Sequence, residues 1–347
     1  AALIVFVLVL QNKFDDWELM HNLYRFAEVP RYIYSDLYQF GPYSAGILNF
    51  KIYCLIFCGL LCIIGSVFWV RGKTFGIKDR LSLARKNLTA KTAIAFMVAV
   101  FCLVTMGSWI YYNTNILNKY HTKYEMNKIN AAYEKLYKKT EFIPQPKVTD
   151  IKLAVDLYPE ARNVDISGKY LIKNKTEISI DSVRITTHPA WTVEDLKITD
   201  GETIFEDSKI GYWIIRLEDA LQPGDSTQLS FKIRLVSQGF ENYISQKRIL
   251  QNGTFLEYDI RPHIGYNNHR TVESKKERIK NGLSPYVDFP LMDDLKARMR
   301  NYIGFDSDWV MLQTTISTSS DQIAIAPGSL KKEWQENGRR YFQYQLD

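Results

Sequence analysis

Two uncharged apolar stretches, Ile52–Val70 of 19 residues and Thr92–Tyr112 of 21, constrain this chain more than any other feature. A helix needs roughly 20 apolar residues to cover about 30 Å of hydrocarbon. Between the two lie Arg71, Lys73, Lys78, Arg80, Arg85, Lys86 and Lys91 against one acid, Asp79. Short loops rich in Lys and Arg stay on the cytoplasmic side of a membrane. The pattern predicts a helical hairpin with its tip in the cytoplasm and everything after Tyr112 outside it. Ala1–Leu10 is ten apolar residues, half of a further span, and Ala1 is not a start methionine. The expectation is an internal piece of a longer protein that opens partway through a membrane helix.

The net charge of +6 invites a nucleic-acid reading only if taken whole. Residues 1–112 carry 11 Lys and Arg against 6 Asp and Glu; the rest carries 33 against 32. The excess is therefore mostly the loop, no basic stripe of the kind that tracks phosphates stands out beyond it, and nucleic acid is excluded as a partner. All four cysteines, Cys54, Cys58, Cys62 and Cys102, fall in the apolar stretches, so the remainder must fold without disulfides. Cys54, Cys58 and Cys62 recur every fourth residue beside Gly59, Gly65 and Ser66, which reads as small-residue helix packing.

The loop Gln11–Asn49 holds five acids and three basic residues and turns at Gly41-Pro42. From Asn118 to Lys139, Tyr120, Tyr124, Ile129, Tyr133, Leu136 and Tyr137 recur at helical spacing among lysines and glutamates. This predicts a juxtamembrane helical stalk over 113–146, ended by Pro144 and Pro146. From Lys147 the period becomes two. Ile151, Leu153, Val155 and Leu157 alternate with polar residues; so do Val164, Ile166, Tyr170 and Ile172 on either side of Gly168. Thr227–Val236 puts Leu229, Phe231, Ile233 and Leu235 on one face, after a type II turn at Pro223-Gly224. Further strands are expected at Trp309–Ile316, Gln322–Ala326 and Arg340–Leu346, and a short helix at Asp288–Ile303 with Pro290 near its start. The fold class is a multi-pass α-helical membrane region, residues 1–112 with part of a helix at 1–10 and helices at 52–70 and 92–112. An all-β antiparallel sandwich over 147–347 follows, extracytoplasmic.

Catalytic motifs are missing. None of the five histidines forms the His-Glu-x-x-His pair that sets two imidazoles around zinc. His263 and His269, with Glu257, Asp259 and Glu273 near in sequence, read as solvated loop residues. There is no nucleophile elbow, P-loop or dinucleotide fingerprint. The sequons at Asn87, Asn174 and Asn252 carry little weight, and Trp191, Trp213, Trp309 and Trp334 read as sandwich core.

Several segments carry a resemblance in their order and spacing. They are Tyr34-Ser-Asp with Phe40-Gly41, Ala132-Tyr-Glu-Lys-Leu-Tyr-Lys, Val155-Asp-Leu-Tyr-Pro-Glu160 and Tyr170-Leu-Ile-Lys-Asn-Lys-Thr176. Further along come Arg261-Pro-His-Ile-Gly-Tyr-Asn267, Asp321-Gln-Ile-Ala-Ile-Ala-Pro-Gly328 and Trp334–Tyr344. Together they resemble bacterial membrane proteins in which an ABC-transporter-type permease region is fused to an aminopeptidase N-like zinc metallopeptidase. The resemblance implies that residues 1–112 are the last permease helices and that the β-sandwich is the peptidase N-terminal domain, which packs on a thermolysin-like catalytic domain and helps wall its cleft. That domain, with the zinc ligands, is expected beyond Asp347, so no catalytic, cofactor or metal residue is expected here. Gly253–Tyr266 is the implied cleft wall, with Glu257, Arg261 and Tyr266 as its candidates, although the usual glutamine- or glutamate-bearing motif is not evident in it. The implied partners are the lipid bilayer of the bacterial inner membrane, a peptide substrate and an ABC ATPase subunit. Two readings compete: a membrane-anchored extracytoplasmic binding or sensor module, and a transporter permease without peptidase activity.

Overall fold

Gly41-Pro42 starts a helix where the sequence reads as a turn in a loop. A proline at the first helical positions lacks an N–H that would be orphaned there and has φ preset. The 3-10 turn Gly41–Tyr43 accordingly runs straight into α1, Ser44–Phe68. The helix thus begins well before the expected Ile52 and takes in Lys51. The computed structural model describes residues 9, 13–14, 17, 19–32, 34, 36, 39–69, 76–118, 120–189, 191–242, 249–257, 260–286, 291–298, 304 and 306–347. The stretch 1–10 apart from Val9, the loop residues Arg71 and Lys73, Asp259 and Pro290 lie outside them. The chain divides into two units, residues 1–122 with 238–247 and residues 123–237 with 248–347.

In the first unit, the basic loop contains a helix of its own, α2, Ile77–Asn87. Thr89 then caps α3, Ala90–Tyr111, its hydroxyl accepting the N–H of Thr92. The helix continues as a π-helical turn, Tyr112–Leu117. Helices α1 and α3 pair antiparallel. Phe50 packs with Ile110 and Phe240, and a Cβ on Gly107 would lie 3.4 Å from the Tyr53 ring. Ser44–Phe68 and Ala90–Leu117 are both long and apolar enough to cross a membrane.

In the second unit, eleven strands among the described residues form two sheets. The larger has the order β10-β11-β9-β1-β2-β7-β4 and the smaller β5-β6-β3-β8. The strands are β1 Lys147–Tyr158, β2 Asn163–Lys173, β3 Ile180–Thr186, β4 Thr192–Ile198, β5 Gly201–Asp207 and β6 Tyr212–Leu221. They continue with β7 Ser226–Val236, β8 His263–Ile264, β9 Met311–Ser319, β10 Ser329–Glu336 and β11 Arg339–Leu346. One core joins the sheets: Val155, Ile166, Tyr170, Leu229, Phe231 and Ile233 of the larger meet Val183, Ile185, Trp213 and Ile215 of the smaller. Each such side chain contributes about 1.5–3 kcal/mol on full burial, which is how a cysteine-free domain of this size holds together. At the turn between β6 and β7, Gly224 has φ +92° and the Asp225 N–H donates to the Gln222 carbonyl at 3.0 Å, as a type II turn requires.

The sheet is not wholly antiparallel. Strands β1 and β9 run parallel from Asp150↔Met311 to Asp156↔Ser317. A parallel pair needs only a long crossover, and the intervening strands supply it. The segment Gln322–Ala326, expected as a strand, is irregular; β11 lies between β9 and β10 and is joined to β10 through Asn337-Gly338 with both φ positive. Of the helix expected at 288–303, the described residues show one turn, α6, Leu295–Arg298, after the short α5, Lys275–Lys280. The helix expected as a stalk, α4, Lys123–Tyr137, belongs to the β-domain unit and buries Ala131, Tyr133, Glu134 and Tyr137. It is a packed part of that domain.

Candidate functional site

The segment Arg261–Asn267 is threaded through the domain by backbone pairing. β8 adds to β3 through Ile185↔Ile264 and Thr186↔His263. Gly265, at φ +87°, donates its N–H to the Arg184 carbonyl and accepts from the Thr186 hydroxyl at 2.8 Å. Beneath it lies a buried polar network. Tyr170, wholly enclosed, donates its hydroxyl to the Pro262 carbonyl at 3.3 Å and is itself bonded by Arg261. Asp306 accepts the Ile264 N–H at 3.2 Å, with His263 Nδ1 at 3.7 Å and an Arg261 nitrogen at 4.0 Å. Burial alone would raise the Asp306 pKa. The hydrogen bond and charge of His263, the charge of Arg261 and the Ile264 N–H outweigh it and hold the carboxyl below its usual range. Burial pushes the Tyr170 hydroxyl up. An ionised aspartate and a protonated tyrosine, both shut from solvent, fix the segment rather than move protons.

The other end of the segment enters an aromatic cluster. Tyr266 stacks on Tyr133 of α4 at 5.0 Å and 15°, and Tyr137 stacks on Tyr212 at 3.8 Å. The Asn267 N–H donates to the Tyr133 hydroxyl at 2.7 Å, and the Arg270 guanidinium lies 4.2 Å from the centre of the Tyr133 ring. Burial moves the Tyr133 hydroxyl up to about 12 and raises that of Tyr266 as well.

The three cleft-wall candidates therefore have different surroundings. Arg261 belongs to the Asp306 network, Tyr266 to the aromatic stack, and Glu257 is exposed, its carbonyl accepting the Ile260 N–H at 3.2 Å. Sequence reasoning missed Asp306, which no motif marks, and the Glu134–Arg278 pair described below. Of the four tryptophans assigned to the core, Trp191 and Trp213 are buried. Trp309 is 94% exposed, and Trp334 stacks on Tyr341 at 5.0 Å. Around β9 and β10 the surface also exposes Met311, Ile323, Ile325 and Leu330.

Zinc, which the resemblance implies for the parent protein, finds no donor set here: among the described residues no three His, Cys, Asp or Glu side chains converge. His263 is engaged with Asp306, while His269 sits in an exposed turn with its N–H on the Asn267 side chain. The sequon residue Asn174 is fully buried. Its amide donates to the Ile178 and Leu221 carbonyls, and its oxygen accepts from the N–H and hydroxyl of Thr176.

No protein-family model matches the chain, and no curated protein matches it. Among solved structures it is similar to an M1 zinc metallopeptidase from Deinococcus radiodurans, with 10% identity and a TM-score of 0.34 over 60% of this chain and 42% of that one. A mutant of that enzyme bound to a Tyr-Ser-Ala substrate gives 10% identity and a TM-score of 0.33 over 58% and 39%. The chain spans about two fifths of the length of these structures. No site residue is carried over from them.

Proposed function

We propose that this chain is the membrane anchor and accessory β-domain of an integral membrane zinc aminopeptidase whose catalytic domain lies beyond residue 347. The observation that carries the reading is where the apolar side chains of the hairpin lie. Only 11% of the most apolar window of α1, and 6% of that of α3 with its π-helical turn, is buried. A core helix of a water-soluble protein hides its apolar face; these helices present theirs outward, where hydrocarbon is the fitting solvent. With the basic helix α2 cytoplasmic, the far end of α3 and the β-domain after it are extracytoplasmic, at the inner membrane of a bacterium.

The accessory role is supported by the apolar surface around β9 and β10, with Trp309, Met311, Ile323 and Ile325 exposed. Large apolar side chains left exposed on a domain suit a surface that another domain covers. In this reading the catalytic domain holds the zinc, which polarises the scissile peptide carbonyl when bound. The residues of this chain contribute the wall over 253–266, braced from beneath by Asp306 and Tyr133, with Glu257 its exposed carboxylate toward a peptide amino terminus.

Protease added to intact spheroplasts tests the topology: cleavage within 123–347 with α2 spared is the expected result, and a protected β-domain overturns it. The reading frame beyond residue 347 tests the chemistry. His-Glu-x-x-His with a downstream glutamate is expected, and its absence ends the peptidase reading while leaving the anchor intact.

A further inference from the structure

Helix α2 is pinned to the end of the hairpin. The amide of Asn87, its last residue, donates to the Val67 carbonyl at 3.1 Å, in the final turn of α1, and Thr89 caps α3 two residues later. Ala84 is buried against the hairpin, but Leu81 and Leu88 are 55% and 54% exposed. At 100° per residue, Leu81 and Ala84 lie on one side of α2, and with the C-cap Leu88 they give it an apolar strip of which only part is covered. Trp69, the C-terminal cap of α1, is exposed at the same end.

The cations flank that strip. Lys78 and Arg85 fall on one side of it by helical angle and Arg80 on the other; Lys86 lies farther round, and Lys91 begins α3. All five are exposed. Arg85 and Lys86 in the last turn suit the helix dipole. A helix with exposed leucines between exposed cations, fixed at the ends of two bilayer-length helices, matches an interfacial helix. Its leucines enter the acyl boundary while lysine and arginine stems extend to the phosphates.

We infer that α2 is a binding surface for anionic phospholipid headgroups, held in the plane of the membrane by the α1–α3 hairpin. The exposed leucines favour a lipid over a soluble polyanion or an acidic protein surface, since neither of those offers an apolar phase beside the charge. The inference rests on the membrane reading, and the test separates the two.

The full chain is placed in nanodiscs containing brominated phosphatidylcholine or brominated phosphatidylglycerol at equal mole fraction. Quenching at Trp69 is read as the difference between the unaltered protein and Trp69→Phe. Each basic residue near the surface enriches anionic lipid about fivefold at moderate salt. Phosphatidylglycerol is therefore expected to quench Trp69 at several-fold lower mole fraction than phosphatidylcholine, with the advantage shrinking at 0.5 M salt. The exchange K78Q/R80Q/R85Q/K86Q should bring the two lipids level at unchanged circular dichroism, and R80K/R85K should keep the preference. Equal quenching of the unaltered protein by both lipids overturns the inference alone. So does displacement of phosphatidylglycerol by inorganic phosphate or an acidic peptide at matched charge. Quenching by neither lipid overturns the membrane reading and the inference with it.

Discussion

Removing Glu134 measures whether α4 is a domain element or a spacer. Glu134 and Arg278 form a two-point pair, Oε1 to Nη2 at 2.8 Å and Oε2 to Nη1 at 3.1 Å, with side chains 5% and 6% exposed. Oε2 also accepts the Val272 N–H at 3.2 Å, while Arg278 donates to the carbonyls of Val272 and Ser284, both at 2.5 Å. Glu134→Ala would strand an enclosed guanidinium, and breaking one side of a buried pair costs about 3–5 kcal/mol. For a domain of this size that lowers the melting temperature by on the order of 10 °C. The double exchange E134L/R278M removes both charges along with their desolvation but leaves the Val272 N–H and the Val272 and Ser284 carbonyls without these partners, so it should recover part of the loss. Urea unfolding of the full chain in detergent, followed through buried Trp191 and Trp213, provides the measurement. A helix that merely spaced the domain from the membrane would carry an exposed pair worth less than about 1 kcal/mol. A Glu134→Ala loss in that range would refute the packed assignment.

Three further outcomes follow from single residues. A Cβ on Gly168 would collide with the Phe231 ring and Leu153, so Gly168→Ala should destabilise the β-domain by about 1–3 kcal/mol; failure of Phe231→Leu to restore any of that loss would count against the packing described. Asn174→Ala removes the buried amide that donates to the Leu221 carbonyl at 2.8 Å, while the Ile178 carbonyl keeps the Thr176 hydroxyl at 3.1 Å, and a loss of about 1–3 kcal/mol is expected; an unchanged urea midpoint would contradict it. His21 is buried beside Thr114 and Asn115, its Nε2 at 2.9 and 3.1 Å from their oxygens, and burial lowers its pKa from 6.5 to about 4. A depressed histidine contributes stability that is intact above about pH 6.5 and lost as pH falls toward 4, up to roughly 3 kcal/mol. Melting temperatures of the full chain across that range should drop, and His21→Gln should flatten the drop; identical slopes would remove His21 as the cause.

Elements with one wet and one dry face were legible in the sequence. β7 shows its alternation because Leu229, Phe231, Ile233 and Leu235 are buried while their neighbours face water. β10 was not legible, since nearly all of its side chains are exposed and no alternation existed to read. Its one local signal was Asn337-Gly338, the pair that favours a hairpin turn with two positive φ values. The parallel pairing of β1 with β9 has no local signature, because partner choice is made by chain segments far apart. The same holds at the candidate site. Arg261 and Tyr266 stand in a recognisable segment, but Asp306, which fixes it, comes from a stretch with no regular pattern. Glu134 reads as one more solvated charge on an amphipathic helix until Arg278, 144 residues on, closes over it. Asn174 shows the converse: a glycosylation triplet in sequence, it is spent in the structure on four hydrogen bonds.

The distribution of charge partners explains why a net charge of +6 does not describe a uniformly basic protein. On the β-domain, cations meet carboxylates on neighbouring strands and loops: Lys232 with Glu194 at 2.7 Å, Arg234 with Asp165 at 2.9 Å, Lys175 with Asp308 at 2.6 Å and Arg340 with Glu333 at 2.6 Å. Cross-strand pairs of this kind select register and are worth little to stability at the surface, so the fold of that domain should respond weakly to salt. The cations of α2 outnumber its one acid, Asp79, within one short helix, where like charges repel. Anions from outside the chain relieve that repulsion. In the membrane reading proposed above, a lipid surface supplies those anions at high local density. Salt should therefore act on this protein mainly at one end of the hairpin, and the charge excess belongs to residues 1–112 rather than to the domain beyond them.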